Sequence, residues 1–159
     1  MAPPSLIIKR SYNVEEGEAI ITDPTIWKAI SGIYINTATA KLADKRSHIY
    51  LIGYIDEVPI GLVILHPRRN KKYYSHIHVL PQYRARYSRA FGIASINWLE
   101  ENTTINTVYT SIPNEFPNVV AYVISIGFSK AKFVSKNKSR NSIKSSRVEL
   151  ELDLNRKGK

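Results

Sequence analysis

Short stretches in which hydrophobic and polar residues alternate, or in which apolar β-branched residues cluster, occur along the whole chain. Both patterns are typical of β-strands, the first with one buried face and the second with two. We predict strands over residues 5–11, 48–54, 59–66, 73–79, 107–112, 129–134 and 147–154. The polar pair Asp56 and Glu57 lies in the short break between the second and third runs, which predicts a β-hairpin.

Apolar residues spaced three and four apart predict helices between these strands. The predicted helices cover residues 24–34, 37–46, 81–101 and 119–126. Asp23 and Pro24 suit the N-cap and the first position of the first helix, and Pro81 suits the first position of the long one. We expect Asn118 to cap the start of the last helix and Gly127 to end it.

The predicted elements follow one another in the order β-α-α-β-β-β-α-β-α-β-β. Hairpins pair strands antiparallel, whereas the later strand–helix–strand connection pairs them parallel. We therefore predict an α/β fold with a mixed sheet of six or seven strands, about four helices, and helices on both faces. One domain would span residues 1–154, followed by a basic C-terminal tail over residues 155–159.

The composition limits the chemistry that this chain can carry out. A length of 159 residues fits one domain, and the absence of cysteine excludes a disulfide scaffold, a zinc–thiolate site and a cysteine nucleophile. The longest apolar stretches, residues 59–65 and 119–128, are far shorter than the roughly 20 residues of a membrane span. Because no basic region precedes the apolar run at the start, we expect no signal peptide, no membrane contact and a cytoplasmic location.

Positive charge is the most informative feature of the composition. The net charge is +10, and residues 58–148 contain fourteen basic residues against three acidic ones. Two stretches, residues 66–89 and 135–147, are basic and contain no acid, and tyrosines interleave with the first. Such surfaces attract polyanions, so nucleic acid or an acidic protein is a candidate partner for a catalytically inactive binding or assembly protein. The alternative is a charge excess that only keeps the protein in solution.

Three stretches of sequence carry a resemblance to a known family. Residues 56–64 look like a hairpin turn followed by a glycine-containing apolar strand, and residues 79–84 look like a central strand leading into a cofactor helix. Residues 118–128 look like a last helix that ends in a Gly-Phe pair. In this order, over residues 5–154, they resemble the GNAT superfamily of acyl-CoA-dependent N-acyltransferases. Residues 111–128 also resemble small GNAT-like proteins of tailed phages, which would place the chain in the host cytoplasm and suit an assembly role.

The resemblance implies a splayed sheet, acetyl-CoA as cofactor and direct transfer of its acetyl group to an amine. The family's phosphate-binding pattern is Gln or Arg, two residues, Gly, one residue, then Gly or Ala; here Arg84 matches its first position, but Tyr87 and Arg89 replace both glycines. Arginine side chains could contact the phosphates instead, so a modified cofactor site and a lost one both stay open. The residues that the resemblance assigns to the cofactor are Val79, Leu80, Arg84, Arg86, Arg89 and Asn118.

The resemblance also implies a general base for the amine and a general acid for the thiolate. Family members often use a carboxylate on the central strands and a tyrosine on the last helix, but no Asp or Glu lies between residues 58 and 99. The tyrosine position holds Val123, with Tyr122 beside it. His76 and His78 are the remaining base candidates, because they lie two apart on one strand and therefore on one face. The alternatives are an exposed strand face without a role and a metal site, for which we expect no ligand set.

Overall fold

Seven strands form one sheet in the order β1-β2-β3-β4-β5-β7-β6. The computed structural model describes residues 5–12, 14–26, 47–69, 72–131 and 147–154. Only β4 and β5 pair in parallel, and every other neighbouring pair is antiparallel. The elements are β1 (Leu6–Ser11), α1 (Val14–Ile21), β2 (Ile49–Ile55), β3 (Val58–Arg68), β4 (Lys72–Val79), α2 (Pro81–Asn102), β5 (Thr107–Pro113), α3 (Pro117–Ser125), β6 (Ser129–Lys130) and β7 (Arg147–Asp153).

The predicted hairpin joins β2 to β3 through a two-residue turn. Ile55 pairs with Val58, and between them Asp56 and Glu57 have φ angles of 48° and 66°. Positive φ at both central residues is the geometry of the type I′ turn, whose twist matches that of the paired strands. The hairpin prediction is confirmed, and Asp56 suits the first turn position, whereas Glu57 replaces the glycine that is usual at the second.

The long helix α2 packs over the sheet through a stripe of residues three and four apart. Phe91, Gly92, Ser95 and Leu99 are buried along it. The Phe91 ring lies over Gly53 of β2 and Gly61 of β3, which are paired with each other in the hairpin. A Cβ at Gly53 would stand 2.6 Å from the ring, so the absence of side chains at the two glycines makes room for the phenylalanine.

Two apolar cores, one on each face of the sheet, confirm the predicted arrangement of helices. On one face, α2 and α3 cover a core that includes Val63, Val79, Val108 and Val123. On the other face, α1 contributes Ile20 and Ile21 to a second core, which contains Tyr50, Ile52, Leu62 and Ile64 of β2 and β3. None of the helices in the described ranges combines enough length with enough apolar character to cross a membrane.

The structure corrects the sequence prediction at two helices. Helix α1 was not predicted, because it is short and contains Gly17, which weakens a helical pattern. Helix α3 begins at Pro117 with Phe116 in the N-cap position, so the prediction that Asn118 caps this helix was wrong. Proline at the first helical position sets the start here, and Asn118 lies exposed in the first turn.

Other predicted boundaries are confirmed where the structure describes them. Asp23 Oδ1 accepts hydrogen bonds from the N–H groups of Thr25 and Ile26 at 3.0 and 3.4 Å, as expected of an N-cap. Gly127 ends α3 with a φ of 125°. The rest of the helix predicted over 24–34, the helix over 37–46, most of the 129–134 strand, the basic loop 135–146 and the tail 155–159 lie outside the described residues.

Candidate functional site between β4 and β5

Strands β4 and β5 separate from each other halfway along their length. Three residue pairs join them, the last being Tyr74 with Tyr109. One step further, Ser75 Oγ donates to the Tyr109 carbonyl and Thr110 Oγ1 donates to the Ser75 carbonyl, both at 3.1 Å. Beyond this point both strands continue without a ladder pair in the described part of the chain. We call the resulting opening, between residues 76–79 of β4 and 111–113 of β5, the splay.

The β4 wall of the splay presents backbone groups. The Leu80 N–H donates to the Ile60 carbonyl of β3 at 2.8 Å, so the neighbouring pair, Gly61 with Val79, is a non-hydrogen-bonded one. The Val79 N–H therefore points away from β3 and towards the splay. Leu80 is engaged in the sheet and packs into the core under α1, so its predicted role as a cofactor ligand would require this hydrogen bond to break.

The N-terminal turns of α2 differ from the glycine loop that the resemblance implies. Helix α2 begins at Pro81, directly after β4, so Tyr87 and Arg89 lie within helical turns. In an α-helix each such N–H donates to the carbonyl four residues earlier and is not available to a phosphate. Arg84, Arg86 and Arg89 are all exposed on these turns. The Arg84 Nε also donates to the Val79 carbonyl at 2.9 Å.

All four histidines of the chain lie in one row across the sheet. The ring centres of His76 and His78 are 6.4 Å apart, those of His66 and His76 are 5.4 Å apart, and those of His48 and His66 are 4.7 Å apart. His76 and His78 alternate with Ile77 and Val79, which point into the core under α2, so the histidines point to the α1 face. Within the described ranges, no three His, Asp or Glu side chains are arranged to hold a metal ion.

Burial and neighbouring positive charge lower the pKa of three of these imidazoles, those of His66, His76 and His78. Burial, then His76 and Arg84, lower the pKa of His78 to about 3. Partial desolvation, followed by the positive charge of Arg147, lowers the pKa of His76 even though this residue is exposed. A base is most effective when its pKa is close to the working pH, and a pKa of about 3 makes His78 a weak proton acceptor. This low pKa counts against the prediction of His78 as the base.

A polar network lines the β5 wall opposite His76. Arg147 donates to Ser111 twice, from Nε to Oγ at 2.7 Å and from Nη2 to the carbonyl at 3.0 Å. Ser111 Oγ in turn donates to Glu149 Oε1 at 2.8 Å. Sequence reasoning missed Ser111 and Glu149. Residues 148–154 alternate strictly between apolar and acidic side chains, and this pattern could have placed the acidic ones together on the face opposite the core.

Comparisons with known proteins show which solved structures share this fold. No protein-family model and no curated protein sequence matches the chain. Its structure is similar to a chimera of spermidine N-acetyltransferase SpeG from Vibrio cholerae and hSSAT, with a TM-score of 0.67, 11% identity, and coverage of 94% of this chain and 95% of that one. A structure of spermidine N-acetyltransferase from Vibrio cholerae in complex with CoA and spermine has a TM-score of 0.61 and 12% identity, with 94% of this chain and 95% of that one covered. The structure of the N-acetyltransferase PseH from Campylobacter jejuni has a TM-score of 0.64 and 15% identity, with 96% of this chain and 100% of that one covered. The chain has the GNAT fold.

The third predicted catalytic residue of this GNAT-fold domain lies apart from the histidines. Tyr122 packs into the core on the α2 face, where its hydroxyl donates to the Ser88 carbonyl at 2.6 Å. Burial raises the pKa of Tyr122 to about 12. A Cβ at Gly92 would stand 2.6 Å from that hydroxyl, so α2 and α3 are in close contact here. The structure brings His76 and His78 together but does not bring Tyr122 to them.

The predicted basic surface of the GNAT-fold domain is divided. Of the described residues in the first basic stretch, Arg68, Arg69 and Lys72 lie at one end of β4, and the arginines of α2 lie beyond its other end. At about 3.3 Å per residue, the length of β4 separates the two groups by roughly 20 Å. The second stretch falls almost entirely outside the described residues. Binding of nucleic acid or of an acidic protein stays a prediction.

The histidine row predicts a loss of stability on mild acidification. An unfolded histidine has a pKa of 6.5. In the folded protein, burial and the nearby His76, His48 and Arg68 lower the pKa of His66 to about 4. The pKa of His78 is lowered to about 3. Below pH 6.5 the unfolded chain therefore binds more protons than the folded one. The free energy of unfolding, measured by urea denaturation at a series of pH values, should be highest above pH 6.5 and fall towards pH 4. His66→Gln should weaken this dependence, and an unchanged slope in that variant would contradict the assignment.

Proposed function

We propose that the chain is an acyl-CoA-dependent N-acetyltransferase that transfers an acetyl group directly to an amine. The observation that carries the proposal is the splay between β4 and β5, with the Val79 N–H directed into it and three exposed arginines on the adjoining helix turns. The GNAT fold supports the proposal at the level of architecture, and the residues on the walls of the splay suggest how the chemistry is done.

The residues around the splay fit the parts of acetyl-CoA. Its pantetheine arm is an extended chain with amide groups, and an unpaired strand edge such as that of β4 can hydrogen-bond to such a chain. The Val79 N–H would bind this arm or the thioester oxygen, as the sequence resemblance implies. Arg84, Arg86 and Arg89 would hold the phosphates through guanidinium groups, because the N–H groups of Tyr87 and Arg89, at the family's glycine positions, lie inside helical turns. When bound, acetyl-CoA supplies an activated acetyl group.

His76 would accept the proton that the acceptor amine loses. It is neutral because its pKa is lowered, and it lies on the face from which a substrate could enter the splay without meeting α2. A neutral imidazole has a free lone pair for a proton, and the exposure of His76 lets that proton pass on to solvent. We assign no general acid, because the Tyr122 hydroxyl is bonded to the Ser88 carbonyl on the other side of the sheet.

The acceptor is proposed only as a class, a small amine. Two of the structures to which the chain is similar are of a spermidine N-acetyltransferase, one of them in complex with CoA and spermine. Polyamines therefore come first in a panel of acceptors, followed by monoamines and amino sugars.

An acetyl-transfer assay tests the proposal. Purified protein is mixed with acetyl-CoA and each amine, and both the released thiol and the acetylated amine are measured. We expect turnover with at least one amine, and we expect His76→Gln to lower kcat about 100-fold or more, within the range that general base catalysis contributes. His78→Gln, the matched change on the same face of the same strand, should have a smaller effect. Absence of turnover across the panel, at millimolar acetyl-CoA, would contradict the proposed function.

A further inference from the structure

The carboxylate of Glu149 is held beside the β5 wall of the splay by a hydrogen bond from Ser111. Glu149 is paired directly with Ser111 in the β5–β7 ladder, and their side chains share one face of the sheet. Ser111 in turn belongs to the part of β5 that has left β4. The β4–β5 pairing runs from Lys72 with Thr107 to Tyr74 with Tyr109, and continuing this register puts His76 level with Ser111. Glu149 therefore lies on the same face of the sheet as Ser111, one strand beyond the β5 wall of the splay.

The directions of the hydrogen bonds fix the orientation of this carboxylate. Arg147 Nε carries a single proton and donates it to Ser111 Oγ, so this oxygen acts as an acceptor towards the arginine. The one hydroxyl proton of Ser111 is then directed to Glu149 Oε1, 2.8 Å away. A second bond, from Arg147 Nη2 to the Ser111 carbonyl, holds the arginine in place. Glu149 Oε1 thus accepts the hydrogen bond from Ser111, and Glu149 Oε2 takes no part in this chain of hydrogen bonds.

We propose that Glu149 Oε2 binds the ammonium form of the acceptor amine and holds it at the splay opposite His76. This inference rests on the proposed function. The chain carries a net charge of +10, so a cationic substrate needs a local anionic group to stay near the reacting atoms. Glu149 is half-buried, where a charge-assisted hydrogen bond is stronger than in open water.

The proton balance of the reaction agrees with this placement. An ammonium must lose one proton before its nitrogen can attack, and neutral His76 takes it. The new C–N bond forms as the C–S bond of the thioester breaks, and the second proton lost from nitrogen leaves with the thiolate sulfur. Glu149 exchanges no proton in this scheme. Its part is to hold and orient the amine, beside Ser111 and Arg147.

The test compares Glu149→Gln with Glu151→Gln. Both glutamates are half-buried and lie on the same face of β7, so the two variants make the same change two residues apart. Each is assayed with an alkylamine, which is an ammonium ion at neutral pH, and with an arylamine, which is neutral. We expect E149Q to raise KM for the alkylamine by about tenfold or more, the loss of one charge-assisted hydrogen bond. KM for the arylamine and the acetyl-CoA affinity should not change, and E151Q should change each constant by less than about twofold.

A purely structural role of Glu149 would give a different result. If E149Q weakened activity equally towards both amines, or if E151Q matched E149Q, the inference would be overturned. A second measurement separates this inference from the proposed function: calorimetric titration of the alkylamine into the protein without acetyl-CoA. Weaker amine binding in E149Q would support the ammonium site even if no acetyl transfer were detected, and equal binding in E149Q and the unmodified chain would refute it.

Discussion

Replacing Arg86 and Arg89 together by alanine is expected to weaken acetyl-CoA binding about 100-fold, since each charge-assisted contact with phosphate contributes about a factor of ten or more. Both side chains are exposed on the first three turns of α2, the helix that follows β4. The helix begins at Pro81, so the amides of Tyr87 and Arg89, where the family has its glycines, are paired within it, and we expect the guanidinium groups to bind the phosphates. Arg84 is left intact because its Nε bonds to the Val79 carbonyl and so also supports the wall of the splay.

Isothermal titration calorimetry with acetyl-CoA measures this effect. The matched control is the double variant Arg69→Ala/Lys130→Ala, which removes the same two positive charges from exposed positions outside α2. Its affinity should stay within about twofold of the unmodified chain, because long-range charge effects are screened at physiological salt. Equal losses in the two double variants would show that net charge, rather than contacts on α2, attracts the cofactor.

Phe91→Ala should be the most destabilising single substitution in the sheet–helix core, lowering the free energy of unfolding by about 3–5 kcal/mol. The side chain is fully buried, and its ring fills the space over Gly53 and Gly61. The two glycines cannot collapse into the cavity, since they have no side chains with which to fill it. A loss of this size is a large share of the roughly 5–15 kcal/mol that stabilises an ordinary domain.

Urea denaturation followed by tryptophan fluorescence or circular dichroism measures the loss. Phe116→Ala is the matched control, because Phe116 precedes α3 with 38% of its surface exposed. This change should cost less than about 1 kcal/mol. If the two phenylalanine variants had similar stability, the packing of α2 against the hairpin glycines would not be the main contact that holds this helix over the sheet.

The local pattern of the sequence was sufficient for most of the fold. The apolar runs 48–54 and 59–66 on either side of Asp56 and Glu57 predicted the hairpin, and the strand–helix–strand run from 73 to 112 predicted the parallel pair of β4 with β5. These features depend on residues that are close along the chain. Helix α1 was missed because Gly17 and its short length hide its pattern, and the helix is stabilised by the packing of Ile20 and Ile21 against β2 and β3.

The site was only partly predictable from the sequence, because its residues meet through strand register. His76 and His78 could be placed on one face from their spacing, but the pKa of each depends on burial and on charges from other elements, Arg147 of β7 for His76 and Arg84 of α2 for His78. Ser111 and Glu149 are 38 residues apart and meet only because β7 pairs with β5 in a particular register. Tyr122 was chosen because it lies beside the family's tyrosine position, and the rotation of α3 instead directs its hydroxyl to Ser88 of α2.

Titration of the unmodified protein with acetyl-CoA, by calorimetry and thermal shift, tests the central claim that the splay binds an acyl-CoA. The account predicts micromolar binding and a stabilisation of the folded state of about 2.7 kcal/mol at a hundredfold excess of ligand over its dissociation constant. Absence of both heat and thermal shift at millimolar acetyl-CoA would contradict it, and would leave a GNAT fold whose splay does not bind the cofactor.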